Sequence, residues 1–172
     1  KVFPKSKELI ENKIYVSNHL QHKFQHLSPE EIQQKVLCFV KAKDTTFFYE
    51  DIEGNFWNAS IFIENSVTYL KAKNSDIAFE AGKVTGEFLE LTKDIDLTKI
   101  YTIIEDFHSV TERYHQFKKA LKNSSKENIN QSKEWIHFIE ERLKEMKQLD
   151  AAIDQKRLPI RLTHNDTKIS NI

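Results

Sequence analysis

The sequence is poor in the residues that interrupt regular structure, with 3 glycines and 3 prolines among 172 residues. This scarcity argues against a disordered chain, and the 39% of hydrophobic residues supply apolar surface for a folded core. The glycines, Gly54, Gly82 and Gly86, do not form the G-x-G-x-x-G pattern that cradles phosphates. The sequence therefore predicts an ordered chain that has no glycine-rich nucleotide loop of its own.

The sequence also lacks a net charge, because 26 basic residues balance 26 acidic residues. Nothing in this balance favours a nucleic acid or an anionic membrane as a partner. No apolar stretch approaches the roughly 18 residues of a transmembrane helix, and the first residues show no signal-peptide pattern. We therefore expect a cytoplasmic protein, and the sequence leaves its oligomeric state open.

Few residues are suited to thiol or metal chemistry. The single cysteine, Cys38, excludes a disulfide framework, which fits a reducing compartment, and it lies in the apolar run 36–40. A buried structural thiol is expected there, because a reactive thiol needs a polar, electropositive setting. His19, His22 and His26 share a helical spacing, but no carboxylate or cysteine completes a metal site with them.

The clearest chemical motif lies near the C-terminal end, where an apolar run over 158–162 predicts a strand that leads into a polar turn. The turn carries His164, Asp166 and Asn171 at the spacing H-x-D-x4-N. Phosphoryl transfer from ATP needs a carboxylate that orients the attacking hydroxyl and a neutral oxygen ligand for Mg²⁺. Asp166 and Asn171 suit these two tasks, and Lys168 could neutralise charge on the phosphate. The alternative is an ordinary polar turn after a strand.

The string LTHNDTKISNI, residues 162–172, resembles the catalytic loop of the aminoglycoside phosphotransferase and choline kinase-like superfamily, particularly that of the N-acetylhexosamine 1-kinases. The resemblance extends to the first four residues with the following helix, to the hairpin 47–63 and to residues 102–108. It implies that Asp166 is the catalytic base, that Asn171 binds Mg²⁺ and that His164 is the loop's structural histidine. Asn165 replaces the arginine with which regulated protein kinases read a phosphorylated loop, so such regulation is not expected.

The same resemblance implies an α+β fold of the protein kinase-like, aminoglycoside phosphotransferase type. Residues 1–63 would be the remnant of the nucleotide-binding lobe, a helix and a β-hairpin. Residues 64–172 would be the first part of the helical lobe, ending in the catalytic loop. The cofactors would be ATP and Mg²⁺, and the substrate would be a small molecule such as an amino sugar.

Further site residues follow from the resemblance. Phe62, Ile63 and Glu64 would form the hinge between the lobes, where backbone groups bind adenine. His108 would contact the substrate; the alternative is a histidine that packs or caps at the start of the next helix. Glu8 or Glu11 would pair with a basic residue of a strand; the alternative for each is a solvated helical glutamate.

The resemblance also implies that parts of a complete kinase are missing from this sequence. The nucleotide-covering hairpin should precede Lys1 and the second acidic metal ligand should follow Ile172, so we expect an incomplete fragment that is inactive alone. The intact protein would transfer the γ-phosphoryl group of ATP to the anomeric hydroxyl of an N-acetylhexosamine. Aminoglycosides and choline-type alcohols remain open as acceptors, and a non-catalytic helical interaction domain or a dead kinase is the alternative class.

Hydrophobic periodicity and capping residues predict the other elements. The expected β-hairpin spans 45–63, with its aromatic residues forming sheet core rather than a platform for bases. The first expected helix covers 5–24, and a short helix follows a capping box at Ser28 and Glu31. Further helices are expected after a cap at Ser75 or Asp76 and over 110–121. One long helix, with Ser124 or Ser125 as a candidate for a new cap before it, is expected to run to about residue 154.

Overall fold

The computed structural model describes residues 6–171, so the resemblance of the first four residues lies outside the described chain. Slightly more than half of the protein is helical, and two short strands pair in one small sheet. No helix within residues 6–171 has the length and apolar character needed to cross a membrane. In chain order the elements are α1 (Ser6–Lys23), α2 (Pro29–Lys35), β1 (Tyr49–Glu50), β2 (Phe56–Trp57), α3 (Ser75–Leu91), α4 (Val110–Asn123), α5 (Lys126–Gln131), α6 (Lys133–Met146) and α7 (Gln148–Asp154).

Local sequence explains the start of α2, where the predicted capping box is confirmed. The Ser28 hydroxyl accepts from the backbone N–H of Glu31 at 3.3 Å, and the Glu31 carboxylate accepts from the backbone N–H of Ser28 at 2.9 Å. These hydrogen bonds, led by the one from the Ser28 backbone, hold the pKa of Glu31 below its ordinary value. The helix therefore begins where the sequence places it.

The predicted hairpin is confirmed, although its strands are shorter than expected. β1 and β2 pair antiparallel, with Tyr49 opposite Trp57. The turn between them is built on Asp51, whose carboxylate accepts from the backbone N–H groups of Glu53 and Asn55, each at 2.9 Å. Gly54 takes the left-handed conformation that the turn requires, with φ +78°.

The apolar run 36–40 lies alongside the end of the hairpin. The N–H of Val40 donates to the carbonyl of Ala59 at 2.9 Å, and the N–H of Ile61 donates to the carbonyl of Cys38 at 2.8 Å. Cys38 is buried, as predicted, and burial raises the pKa of its thiol. The run therefore supplies core residues and extends the pairing beyond the two strands.

The chain forms two compact units, and the second is inserted between two segments of the first. One unit contains the described residues up to Ile103 and those from Arg161 onward, and the other is Ile104–Ile160. In the first unit, Asn12 of α1 exchanges two hydrogen bonds of 2.8 Å with the backbone of Tyr101. The lobe boundary expected after residue 63 does not coincide with these units and stays a prediction.

In the inserted unit, α4 and α7 are joined by a carboxylate. Asp150 of α7 accepts hydrogen bonds from the backbone N–H groups of Val110 and Thr111, at 3.3 and 2.8 Å. The prediction of a single long helix here is wrong. The chain forms three helices, α5, α6 and α7, with breaks at Ser132 and Lys147. No proline or glycine marks either break, so hydrophobic periodicity could not reveal them.

Two other local predictions are corrected and one is resolved. Asn74, rather than Ser75 or Asp76, caps α3, because its side chain accepts from the N–H of Ile77 at 3.0 Å. Of the two serines considered as a new cap, Ser125 starts α5. Residues 158–162 do not form a strand: they pair with no strand of the described chain, and Pro159 has no N–H to donate.

Candidate functional site

The H-x-D-x4-N loop is a short segment of the first unit that ends in a 3-10 turn, Ile169–Asn171. Its backbone turns at Asn165, which has the left-handed φ of +64°. The turn closes with a hydrogen bond of 2.8 Å from the N–H of Asn171 to the carbonyl of Lys168. This local geometry brings together the predicted residues His164, Asp166, Lys168 and Asn171, all of them exposed.

The side chain of Asn171 is hydrogen-bonded to Asp166. The Asn171 amide nitrogen donates to Oδ2 of Asp166 at 2.6 Å and to the Asp166 carbonyl at 3.1 Å. Within the described chain, the other side-chain oxygens of the pair, Asn171 Oδ1 and Asp166 Oδ1, accept no hydrogen bond. One carboxylate oxygen and one amide oxygen are therefore free to bind other groups at the loop surface.

Lys168 lies beside the same carboxylate but is held loosely. Its Nζ is 3.7 Å from Oδ2 of Asp166, and both side chains are more than half exposed. An exposed ion pair of this kind contributes little to stability, because water screens it. The ammonium group is consequently able to leave Asp166 and meet an anionic group at the loop.

His164 supports the turn in two ways. Its Nδ1 accepts from the N–H of Asp166 at 3.3 Å. Its ring meets the ring of Phe88 edge to face, with centroids 6.5 Å apart. A hydroxyl–amide contact of 2.5 Å between Thr163 and Asn165 adds a further bond to the turn. The arrangement gives His164 an orienting contact with the backbone of Asp166.

Two hard oxygen atoms on one loop suit Mg²⁺, which usually takes one or two carboxylates and completes its shell with phosphate oxygens and water. Of these two, Oδ1 of Asn171 is the atom that would hold the ion, and Oδ1 of Asp166 is left for another group. Within residues 6–171, no cluster of three or more histidine, cysteine, aspartate or glutamate side chains is arranged to bind a metal. With so few protein oxygens on the loop, phosphate oxygens and water would complete the shell of a bound Mg²⁺.

The predicted hinge residues, Phe62, Ile63 and Glu64, lie elsewhere in the first unit. The Phe62 side chain is 79% exposed, and the Ile63 carbonyl already accepts from the Ser66 hydroxyl at 2.8 Å. No hydrogen bond or ring contact in the described chain joins these residues to the loop. Their role in adenine binding stays a prediction.

The predicted substrate contact, His108, belongs to the inserted unit. Its ring lies edge to face against Phe107, with centroids 4.9 Å apart. The Arg113 guanidinium lies 5.7 Å from the centroid of the same Phe107 ring. Ser109, directly after His108, caps α4. His108 therefore lies just before the start of α4, as expected for a histidine that packs at a helix start. Its contact with a substrate stays a prediction.

The two glutamates considered for an ion pair lie on α1. Glu11 is 3.9 Å from Lys7 of the same helix. Neither Glu8 nor Glu11 forms an ion pair with a strand residue in the described chain. This pairing is the ordinary i,i+4 contact of a solvated helix face.

Sequence reasoning missed two apolar pockets of the first unit. One, of about 230 Å³, lies between residues 40–42 and the hairpin, and the other, of about 370 Å³, lies between α1 and residues 46–48. Neither contains a residue of the loop or the predicted hinge, although Glu11 lines the larger one. The aromatic run Phe47, Phe48 and Tyr49 was the only sequence signal for them.

No protein-family model matches this chain. The resemblance to small-molecule kinases thus rests on residues 162–172 and on the segments that share it. The geometry of the loop is the independent observation on which a function can be argued.

Proposed function

We propose that the protein is an ATP-dependent phosphotransferase that acts on a small hydroxylated substrate, an N-acetylhexosamine that becomes the sugar 1-phosphate. The observation that carries the proposal is the 2.6 Å hydrogen bond from the Asn171 amide to Asp166. It brings a carboxylate and a neutral oxygen ligand together, as phosphoryl transfer requires. A cytoplasmic location, where ATP and Mg²⁺ are abundant, belongs to the proposal.

Each loop residue has a task in this proposal. Oδ1 of Asp166 orients the acceptor hydroxyl and takes its proton, while Oδ2 stays bonded to Asn171. Asn171 offers Oδ1 to Mg²⁺, and the bound ion would neutralise charge on the phosphates of ATP. Lys168 moves from Asp166 to the transferred phosphoryl group, since their present contact is weak.

The test measures phosphoryl transfer from Mg²⁺-ATP by the full-length protein across a panel of N-acetylhexosamines, aminoglycosides and choline. We expect turnover on an N-acetylhexosamine, and a loss of about 10²- to 10⁴-fold in kcat when Asp166→Asn removes the base. The matched control is Asp154→Asn, a surface change at the end of α7, which should leave kcat unchanged.

Each negative result of this assay would have a different meaning. Transfer to another acceptor would keep the kinase class and replace the substrate. Unchanged turnover in Asp166→Asn would contradict the role of Asp166. A folded protein that binds Mg²⁺-ATP without transfer would be a dead kinase, and one that binds no nucleotide would show that the loop matches by chance.

A second candidate function is a non-catalytic helical interaction domain. Exposed apolar side chains on two helices favour it: Phe79 of α3 is 69% exposed and Trp135 of α6 is 64% exposed. Exposed apolar surface of this kind often marks an interaction site. Calorimetric titration with Mg²⁺-ATP separates the two candidates, because an interaction domain of this class has no need to bind nucleotide.

A further inference from the structure

An arginine of the segment that leads into the loop is hydrogen-bonded to the backbone just beyond the C-terminal end of α3. Arg161 donates from Nη1 to the carbonyl of Lys93 at 2.7 Å. The last carbonyl groups of a helix lack partners within the helix, and the helix dipole makes this end negative. A guanidinium placed just beyond Leu91, the last residue of α3, is therefore bound by both a hydrogen bond and the local field.

A second contact fixes the loop three residues later. The ring of His164 lies edge to face against Phe88, in the last turn of α3, with an interplanar angle of 83°. Leu162, between the two contacts, is half-buried. The loop is thus attached to one helix end at two points, one before and one within the H-x-D-x4-N motif.

The end of α3 is itself held in place by α1. The Nε2 atom of His19 lies 3.0 Å from the Leu91 carbonyl, and Lys23 forms a 2.5 Å ion pair with Asp94. Thr92 is only 2% exposed, and its hydroxyl donates to the carbonyl of Phe88 at 2.7 Å. The surface that receives Arg161 is therefore a fixed support.

We propose that Arg161 is a positioning residue of the phosphotransferase site, which holds the loop on the end of α3 so that Asp166 and Asn171 keep their relative geometry. The proposal rests on the function proposed above. Arg161 touches no reacting group, and it acts through the backbone of the loop. A misplacement of about 1 Å at a reacting group can lower the rate by about 100-fold, so such a support has a measurable effect.

The test compares three variants of the full-length protein. Arg161→Met removes the hydrogen bond and keeps an apolar stem, and Arg161→Lys keeps one charged donor. Arg157→Met is the matched control, because that guanidinium bonds to Gln155 in the other unit. The readouts are amide hydrogen exchange at Asp166 and Asn171, together with kcat and the KM for ATP.

In Arg161→Met we expect faster exchange at both amides and a kcat lowered by about 10- to 100-fold, with the KM for ATP unchanged. Arg161→Lys should recover most of kcat, and Arg157→Met should behave as the unaltered protein. Exchange and kcat that stay unchanged in Arg161→Met would overturn the proposal. An equal loss in Arg157→Met would also overturn it, because the effect would then be general.

Two further results keep the inference separate from folding and from the proposed function. If Arg161→Met does not fold, Phe88→Leu removes the second attachment, and it should raise loop exchange and lower kcat in the same direction; unchanged values would overturn the proposal. If the unaltered protein transfers no phosphoryl group, the proposed function fails. The exchange rates then still decide whether Arg161 holds the loop.

Discussion

At the scale of single residues, the loop depends on backbone geometry that composition does not show. Asn165 adopts φ +64°, a left-handed conformation that asparagine tolerates better than most residues. That turn lets the N–H of Asp166 face Nδ1 of His164 and lets Asn171 reach the Asp166 carboxylate. The motif therefore specifies which groups are present, and the conformation of Asn165 makes them neighbours.

At a second residue, Asp51, hydrogen bonds lower the pKa of the carboxyl group. The indole N–H of Trp57 donates to the Asp51 carboxylate at 2.8 Å, and the backbone N–H of Asn55 donates to it at 2.9 Å. These two hydrogen bonds, of which the Trp57 bond has the larger effect, lower the pKa of Asp51 to about 2. A lowered pKa means that the stabilising contribution is present above the unfolded value of about 3.9. It is lost as the pH falls through about 2.

We predict that the indole N–H resonance of Trp57 shifts with a midpoint near pH 2. The hydrogen bond weakens when Asp51 is protonated, because the neutral carboxyl is a poorer acceptor. Nuclear magnetic resonance measures both tryptophans in one titration. Trp135 is the internal control, since its indole N–H has no acceptor within residues 6–171. A Trp57 midpoint near the ordinary aspartate value would contradict the hydrogen bonds seen at Asp51.

At the scale of elements, helix starts follow from local sequence, and contacts between helices do not. Ser28 caps α2 with its own hydroxyl and could be found from the pattern S-x-x-E. The start of α4 also has a local cap, Ser109, but it is bound in addition by Asp150, which lies 39 or more residues away along the chain. The hydrogen bond from the backbone N–H of Thr111 is the main cause that lowers the pKa of Asp150.

We predict that Asp150→Ala lowers the free energy of unfolding by about 0.3–1 kcal/mol, the usual effect of a charge at a helix terminus. Because the folded pKa of Asp150 is lowered, this contribution is present above the unfolded value of about 3.9 and is lost as the pH falls through the folded value. Urea unfolding near pH 7 and at low pH measures the difference.

The control for this measurement is Asp154→Ala, at the exposed end of the same helix. It removes a carboxylate from α7 without removing a partner of α4. Equal losses in both variants, or a loss in Asp150→Ala that persists at low pH, would contradict the role of Asp150 as a cap.

At the scale of the whole molecule, the described chain buries few apolar side chains. Its buried apolar residues are Ile10, Val36, Cys38 and Ile95, all in the first unit. Large apolar side chains such as Leu70, 91% exposed, remain at the surface. An exposed apolar surface favours association or low stability, because water contact with it is unfavourable.

We therefore predict that the 172-residue chain, prepared alone, self-associates or unfolds with a broad thermal transition. Analytical ultracentrifugation over a range of concentrations and differential scanning calorimetry measure the two properties. Salt should strengthen the association if apolar contacts cause it and weaken it if ion pairs do. A monodisperse monomer with one sharp transition would contradict the prediction.

The sequence by itself determined the elements that depend on neighbouring residues. Helical periodicity predicted α1, α3 and α4, and turn residues predicted the hairpin around Asp51. The spacing of His164, Asp166 and Asn171 predicted which groups share the loop. These features need interactions over only a few residues, such as caps, turns and amphipathic faces, so they can be read along the chain.

Only the tertiary structure decided the features that join distant segments. It broke the expected long helix into three, left residues 158–162 without a strand partner, and inserted one unit between two parts of the other. It also brought Arg161 to the carbonyl of Lys93, 68 residues away in the sequence. Hydrogen bonds across such separations depend on how helices pack, and no local pattern records that packing.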